Sequence, residues 1–281
     1  MSASDERAAI VERIEVDAWA EIQTRLDKSF RERLGVEVRR VGEGLVLTAR
    51  HVDMLAMNRV VGVGIATPVT ERFIDETIDA YRAAGVPRFV LQLIPSAASP
   101  AVVELLAQRG FRELPRMAKF CRAVKSTRWP KTDLRIIEVS REGAAQFGKT
   151  AAAAHGLDES MAPGFTSTIG LPGWRHYLAM DKWRPVAVAA LYCRGEVAWC
   201  GFGGTLESDR RRGAQTVLLM QRVRDAAAAR CKLIVAETTE ETAERPNASY
   251  RNMQRAGFEL VHVRATYLLD LRTREARGDS D

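Results

Sequence analysis

The stretch GTLESDRRRGAQTVLL, Gly204–Leu219, sets three arginines and a glycine immediately before a helical pattern. The first N–H groups of a helix have no intrahelical acceptor, and the helix dipole adds partial positive charge at the same end. Such an end binds phosphate. Arg210, Arg211 and Arg212 add charge and bidentate donors, and Gly213 lets backbone approach a ligand because it has no Cβ. The chemistry this spacing suits is the grip of a diphosphate. A nucleic-acid backbone would call for basic residues spread over a face. A solvated basic turn that opens a helix is the plainer reading of the same residues.

The elements around it give that turn a context. A strand over Glu196–Phe202 continues into small residues, and a long helix is predicted over Arg212–Arg230. A buried strand at Leu233–Ala236 and a helix over Asn247–Ala256 follow. Phe258–Leu269 closes the pattern. Upstream lie a strand at Leu134–Val139, helices at Gly143–Ala154 and about Ser160–Thr168, and strands at Trp174–Met180 and Val186–Cys193. Arg194–Gly195 makes the turn into Glu196.

The same order recurs earlier in the chain. Apolar residues at helical spacing (Ile10, Ile14, Trp19, Ile22, Leu26, Phe30) predict one helix over Glu6–Leu34, or two with a bend near Asp17. Val36–Val41 and Leu45–Ala49 read as a hairpin and Val60–Ile65 as a strand. Thr70–Ala84 is a helix, Arg88–Ile94 a strand, Pro100–Arg109 a helix capped by Gly110, and Phe111–Val124 extended. QRGFREL and QRAGFEL align around Gly110–Phe111 and Gly257–Phe258. Two copies of one α+β unit therefore account for the 281 residues. The expected division is 1–124, a polar linker at 125–133, a second unit at 134–270 and a flexible tail at 271–281.

Composition narrows the classes. Hydrophobic content is 46% and charged content 28%, which excludes disorder for most of the length. The net charge of +6 suits an anionic ligand and is too modest for a dedicated nucleic-acid binder. The cysteines at 121, 193, 200 and 231 form no CxxC pair and have no histidine cluster, so no metal site is expected. With no apolar run of about 18 residues and no secretory leader pattern, a cytoplasmic, non-membrane protein is expected.

With these residues in view, the sequence resembles the GNAT acetyltransferase superfamily. Its pattern, Gln/Arg-x-x-Gly-x-Gly/Ala between a strand and a helix, is met by Arg210, Gly213 and, in place of the final small residue, Gln215. Asn247 stands ten residues before Gly257, as the family's helix-opening Asn does. The resemblance covers about Leu134–Leu269 and extends more loosely to residues 36–124. It implies an α+β fold of two tandem GNAT-like domains, each a mixed, mostly antiparallel sheet flanked by helices. It also implies an acetyl-CoA-dependent N-acyltransferase acting on a small-molecule amine, as a monomer or homodimer, without nucleic acid, membrane or metal. The implied cofactor-binding set is Gly204, Thr205, Leu206, Arg210, Arg211, Arg212, Gly213, Ala214, Gln215, Thr216, Asn247 and Asn252. A backbone N–H near Leu206 would meet the thioester oxygen, two strands would splay apart around the pantetheine arm, and Asn252 would touch the cofactor.

Where the family places a tyrosine acid, four residues before the GF glycine, this chain has Met253. Tyr250 is then the candidate acid and Glu237 the candidate base, with Glu207 and His176 as alternatives. His155 reads as a C-terminal helix residue favoured by the dipole. Trp174, Trp183 and Trp199 read as core or as walls of the acceptor cleft. In the first half the turn Thr67-Pro68-Val69-Thr70-Glu71-Arg72 has no glycine and carries an acid, so that half is expected not to bind CoA in the usual way. The competing readings are a non-catalytic CoA-binding sensor or interaction module, and a nucleic-acid binder using Arg210–Arg212.

Overall fold

Apolar periodicity and its punctuation set most of the elements. A computed structural model describes residues 3–125 and 129–272. The predicted linker lies partly, and the predicted tail mostly, outside those residues. The chain opens with α1 (Ala3–Thr24) and α2 (Lys28–Leu34). The break between them falls at residues 25–27 and not near Asp17, so the predicted bend is misplaced. Next come β1 (Val36–Val41), β2 (Gly44–Ala49), β3 (Arg59–Val63), α3 (Glu71–Ala83), β4 (Arg88–Leu93), α4 (Pro100–Gln108) and β5 (Arg112–Ala123). The remaining elements are β6 (Arg135–Glu138), α5 (Ala144–Ala154), α6 (Pro163–Thr166), β7 (Trp174–Asp181), β8 (Arg184–Arg194), β9 (Val197–Thr205), α7 (Ala214–Ala228), β10 (Leu233–Thr239), α8 (Ala248–Arg255) and β11 (Glu259–Asp270). The helix predicted over Ser160–Thr168 is a 3-10 turn at Glu159–Met161 followed by the single turn of α6, because Pro163 restarts the helix at its first position.

The chain divides into two compact units. One comprises α1, residues 28–118 and the chain from Val261; the other comprises residues 25–27 and 119–260.

In the first unit the strand order is β1-β2-β3-β4-β11, with β3 parallel to β4 and the other pairs antiparallel. Its core gathers Ile74, Ile78 and Tyr81 of α3 with Phe89 and Leu91 of β4. The Tyr81 ring stacks on Phe89 at 3.9 Å, and its hydroxyl donates to the Leu47 carbonyl at 2.8 Å. A buried hydroxyl needs such a partner. Charges on the inner face of α1 are matched as well. Arg264 of β11 donates to Glu12 at 2.9 Å and to Glu15 at 2.7 Å, all three side chains being buried.

In the second unit the order is β5-β10-β9-β8-β7-β6. β6 to β9 are antiparallel neighbours, and β10 joins β9 in parallel. Phe147 and Ala151 of α5 pack on Leu178, Met180 and Val188 of the sheet. Trp174 and Trp199 are buried, as expected of core residues, whereas Trp183 is 86% exposed in the β7–β8 turn and builds neither core nor cleft.

Candidate functional site

The site begins where two parallel strands part. β10 pairs with β9 only from Val197 to Trp199. β9 runs on to Thr205 and β10 to Thr239, leaving the end of β9 without its β10 partner. On its other side β9 stays paired with β8 as far as Ala187 and Thr205, with a register shift between Val188 and Ala190. Phe202 lies opposite that shift at φ 51°, a left-handed conformation that a bulge residue adopts. A bulge bends its strand and deepens the wedge. The wedge is a cleft of about 970 Å³ floored by Gly203, Gly204 and Thr205. Leu206 does not line it. Its N–H donates to the Val186 carbonyl at 2.9 Å, so the donor expected there is already used by β8.

The outer end of the cleft is the arginine turn. Arg210, Arg211 and Gly213 line it. Arg211 and Gly213 have φ of 67° and 79°, so the backbone curls and presents its N–H groups inward. The helix starts at Ala214, two residues later than predicted, and Gly213 gives it no side-chain cap. Val217 is the first residue whose N–H finds a helical acceptor, the Gly213 carbonyl. The N–H groups of Ala214, Gln215 and Thr216 therefore stand at the cleft as a helix terminus does, with two guanidinium groups beside them.

Arg212 is not part of this array. It donates to Asp181 at 2.8 Å, to Asp209 at 3.1 Å and to Asp133 at 3.4 Å. Asp209 is buried and also receives both terminal nitrogens of Arg184, at 2.7 and 2.8 Å. These hydrogen bonds, Arg184's first, hold its carboxyl well below the usual carboxylate range. Arg212 thus clamps the back of the turn and leaves the ligand side to Arg210 and Arg211.

Gln215, which replaces a small residue of the motif, points away from the anion end. Its Nε2 donates to Ser249 Oγ at 2.9 Å, and its Oε1 accepts from Asn252 Nδ2 at 2.7 Å. Asn252 reaches the cleft wall but commits its amide to Gln215. Asn247 caps α8, accepting from the N–H groups of Ser249 and Tyr250 at 2.9 and 3.3 Å. Its own amide donates to the Thr239 carbonyl at 2.6 Å, tying the end of β10 to α8. Asn247→Ala is expected to cost about 0.5–2 kcal/mol in urea unfolding, the range for losing a helix cap.

The inner end differs from expectation. Glu237 does not line the cleft; its carboxylate is paired with the fully buried Lys119 at 3.2 Å. Tyr250 does not line it either, and its ring stands edge-on to Phe120 at 4.9 Å. His176 is a core residue whose Nε2 lies 3.2 Å from Thr168 Oγ1. Burial pulls its pKa to about 4. Glu207 sits on the rim, fully open to solvent.

Two side chains that the sequence did not mark do face the inner cleft. His155, at the C-terminal end of α5, stacks on Phe165 at 5.3 Å and hydrogen-bonds to the Phe202 carbonyl. A Cβ added to Gly204 would lie 3.1 Å from its Nε2. The residue is exposed, yet the protein around it disfavours the charged form more than the Phe202 carbonyl favours it. Its pKa is held below the ordinary 6.5. Arg222 of α7 faces the neighbouring glycine from the opposite side of the strand, with both terminal nitrogens 3.9 Å from where a Gly203 Cβ would stand. Adjacent strand residues face opposite sides of a sheet; α5 and α7 thus each lend one polar group to the same few residues of β9.

In the first unit the corresponding turn is satisfied from within. Glu43 accepts from the N–H groups of Ala66 and Thr67 at 2.9 and 3.2 Å. Thr70 caps α3 by accepting from Phe73 N–H at 3.2 Å. A Cβ on Gly64 would stand 2.1 Å from that of Ala97, which fills the place beside the strand.

The splayed strands and uncapped helix belong to an α+β fold of the GNAT kind. A GCN5-related N-acetyltransferase from Kribbella flavida matches at TM-score 0.62 and 17% identity, covering 92% of this chain and 95% of that one. Another from Sphaerobacter thermophilus matches at 0.59 and 15%, covering 76% and 72%. A tandem GNAT protein from the clavulanic acid biosynthesis pathway, in a structure without AcCoA, matches at 0.55 and 14%, covering 79% and 76%. No protein-family model and no curated protein matches the sequence. No helix among the described residues is long and apolar enough to cross a membrane, and no group of three His, Cys, Asp or Glu side chains there could hold a metal.

Proposed function

We propose that the chain is an acetyl-CoA-dependent N-acyltransferase that acetylates the amine of a small molecule, built as a tandem GNAT protein whose second half carries the cofactor. One observation carries this reading: an uncapped helix N-terminus with Arg210 and Arg211 opens directly onto a strand edge left free by the parting of β9 and β10. The terminus receives the diphosphate, and the edge at Gly203–Thr205 offers backbone groups to the amides of the pantetheine arm. The thioester supplies an activated acyl carbon. The neutral amine attacks that carbon as the carbon–nitrogen bond forms and the carbon–sulfur bond breaks, and CoA leaves as a thiolate that takes a proton from solvent. His155 takes the proton from the attacking nitrogen. One of its ring nitrogens is committed to the Phe202 carbonyl, so the other is an acceptor in the neutral ring. This assignment replaces Glu237, which is paired with Lys119.

Acetyl-CoA at 100 times its Kd should add about 2.7 kcal/mol to the stability of the folded chain. Its melting temperature should therefore climb with ligand concentration, while oligonucleotides leave it in place. Thiol release across a panel of amines then reads turnover. Binding without turnover on a broad panel would favour the sensor reading; no thermal shift at millimolar acetyl-CoA would refute the proposal.

A further inference from the structure

Arg222 is an unusual resident of this cleft. Its residue is 4% exposed, although it lines the cavity. Arginine is almost never buried so fully without a counter-charge. Its one hydrogen bond among the described residues runs from Nε to the Leu218 carbonyl at 3.1 Å, a neutral acceptor in its own helix. Among the described residues the two terminal nitrogens have neither a carboxylate nor a carbonyl partner. Asp225, one turn along, is already engaged by Tyr177 at 2.8 Å and Gln221 at 2.7 Å. Cys200, close enough to feel the guanidinium, is kept a neutral thiol by its burial. The stem is held among neighbours while the tips are not sealed off: they open onto the cleft, where an anion can reach them.

We propose that Arg222 receives a carboxylate carried by the substrate at the inner end of the cleft, on the α7 side of β9. The two free nitrogens of a guanidinium match the two oxygens of a carboxylate. The inference rests on the CoA-thioester reading of the cleft. The carboxylate can enter on the acyl group, as in a dicarboxylic acyl-CoA, or on the amine, as in an amino acid.

Calorimetry with CoA, acetyl-CoA, malonyl-CoA and succinyl-CoA tests the first source. Turnover of acetyl-CoA with an amino acid against its carboxamide tests the second. In one of these arms the carboxylate-bearing compound should be favoured about tenfold. Arg222→Met should abolish the preference and Arg222→Lys should keep part of it. If Arg222→Met does not fold by circular dichroism, the lysine variant must still show an intermediate preference. No preference in either arm, or one that survives the variants, overturns the proposal. So does CoA binding more tightly than every thioester with an advantage that vanishes in the variants, since that would place the departing thiolate at Arg222. Failure of the CoA reading itself would look different: no CoA compound would bind the unaltered protein.

Discussion

Reversing the two ligand-side arginines, Arg210→Glu with Arg211→Glu, should weaken acetyl-CoA binding at least 100-fold and leave the fold intact. A hydrogen bond to a charged group contributes about 1.5–3 kcal/mol, and two of them exceed the 2.8 kcal/mol that corresponds to 100-fold. The fold should tolerate the change because both residues are exposed. Arg210 has only the distant Glu207 carboxylate, at 3.9 Å, and Arg211 has no carboxylate partner among the described residues. Surface changes of this kind usually stay within about 0.5 kcal/mol of stability. The unaltered protein should also lose affinity as salt rises, since part of the attraction is screened, while the double variant should respond little. Arg212→Ala is the internal contrast. It removes the clamp on Asp181 and Asp209, so its melting temperature should fall. Calorimetry and thermal denaturation in parallel read both outcomes, and an acetyl-CoA affinity unchanged by the double reversal would remove the arginine turn from the binding site.

The division of labour among the three arginines shows where the sequence stops informing. A glycine and a run of guanidinium groups ahead of a helical pattern announce an anion site in one dimension. Which arginine faces the ligand depends on Asp133, Asp181 and Asp209, and those are brought together only by the fold. The surroundings of Glu237 were hidden for the same reason. That residue sits at a strand end, where a base is plausible, but Lys119 reaches it across 118 positions of sequence. His155 was visible as a lone histidine after four alanines, and nothing local said that its ring meets Gly204. That meeting follows from the bulge at Phe202, of which the run Gly201-Phe202-Gly203-Gly204 was the only trace. The elements themselves were more legible, because periodicity and capping are local. Thr70, Gly110 and Asn247 mark helix ends in the sequence and stand at helix ends in the structure. Strand partnership is not local, and the repeat gave no sign that the closing strand β11 pairs with β4 of the first unit.

His155→Asn should lower kcat about 100-fold, the lower range for removing a general base, with acetyl-CoA affinity changed less than threefold. The pH profile separates a proton acceptor from a residue that merely shapes the cleft. The ring must be neutral to accept a proton. Its pKa lies below 6.5 because the surrounding protein disfavours the imidazolium. The histidine's contribution should therefore be lost as pH falls through that depressed value, an additional acid limb below pH 6.5 in kcat/KM on top of the fall imposed by protonation of the amine. In the asparagine variant this limb should vanish. The remaining rate should then follow only the deprotonated fraction of the amine, rising towards the amine's own pKa near 10. A merely structural role would lower the rate and leave the limb in place. Glu207→Gln gives the complementary measurement. The rim carboxylate is 91% exposed, so its loss should change kcat less than threefold. Should the asparagine variant keep both its rate and its acid limb while the glutamine variant loses them, the proton would be going to the rim and not to the α5 side of the cleft.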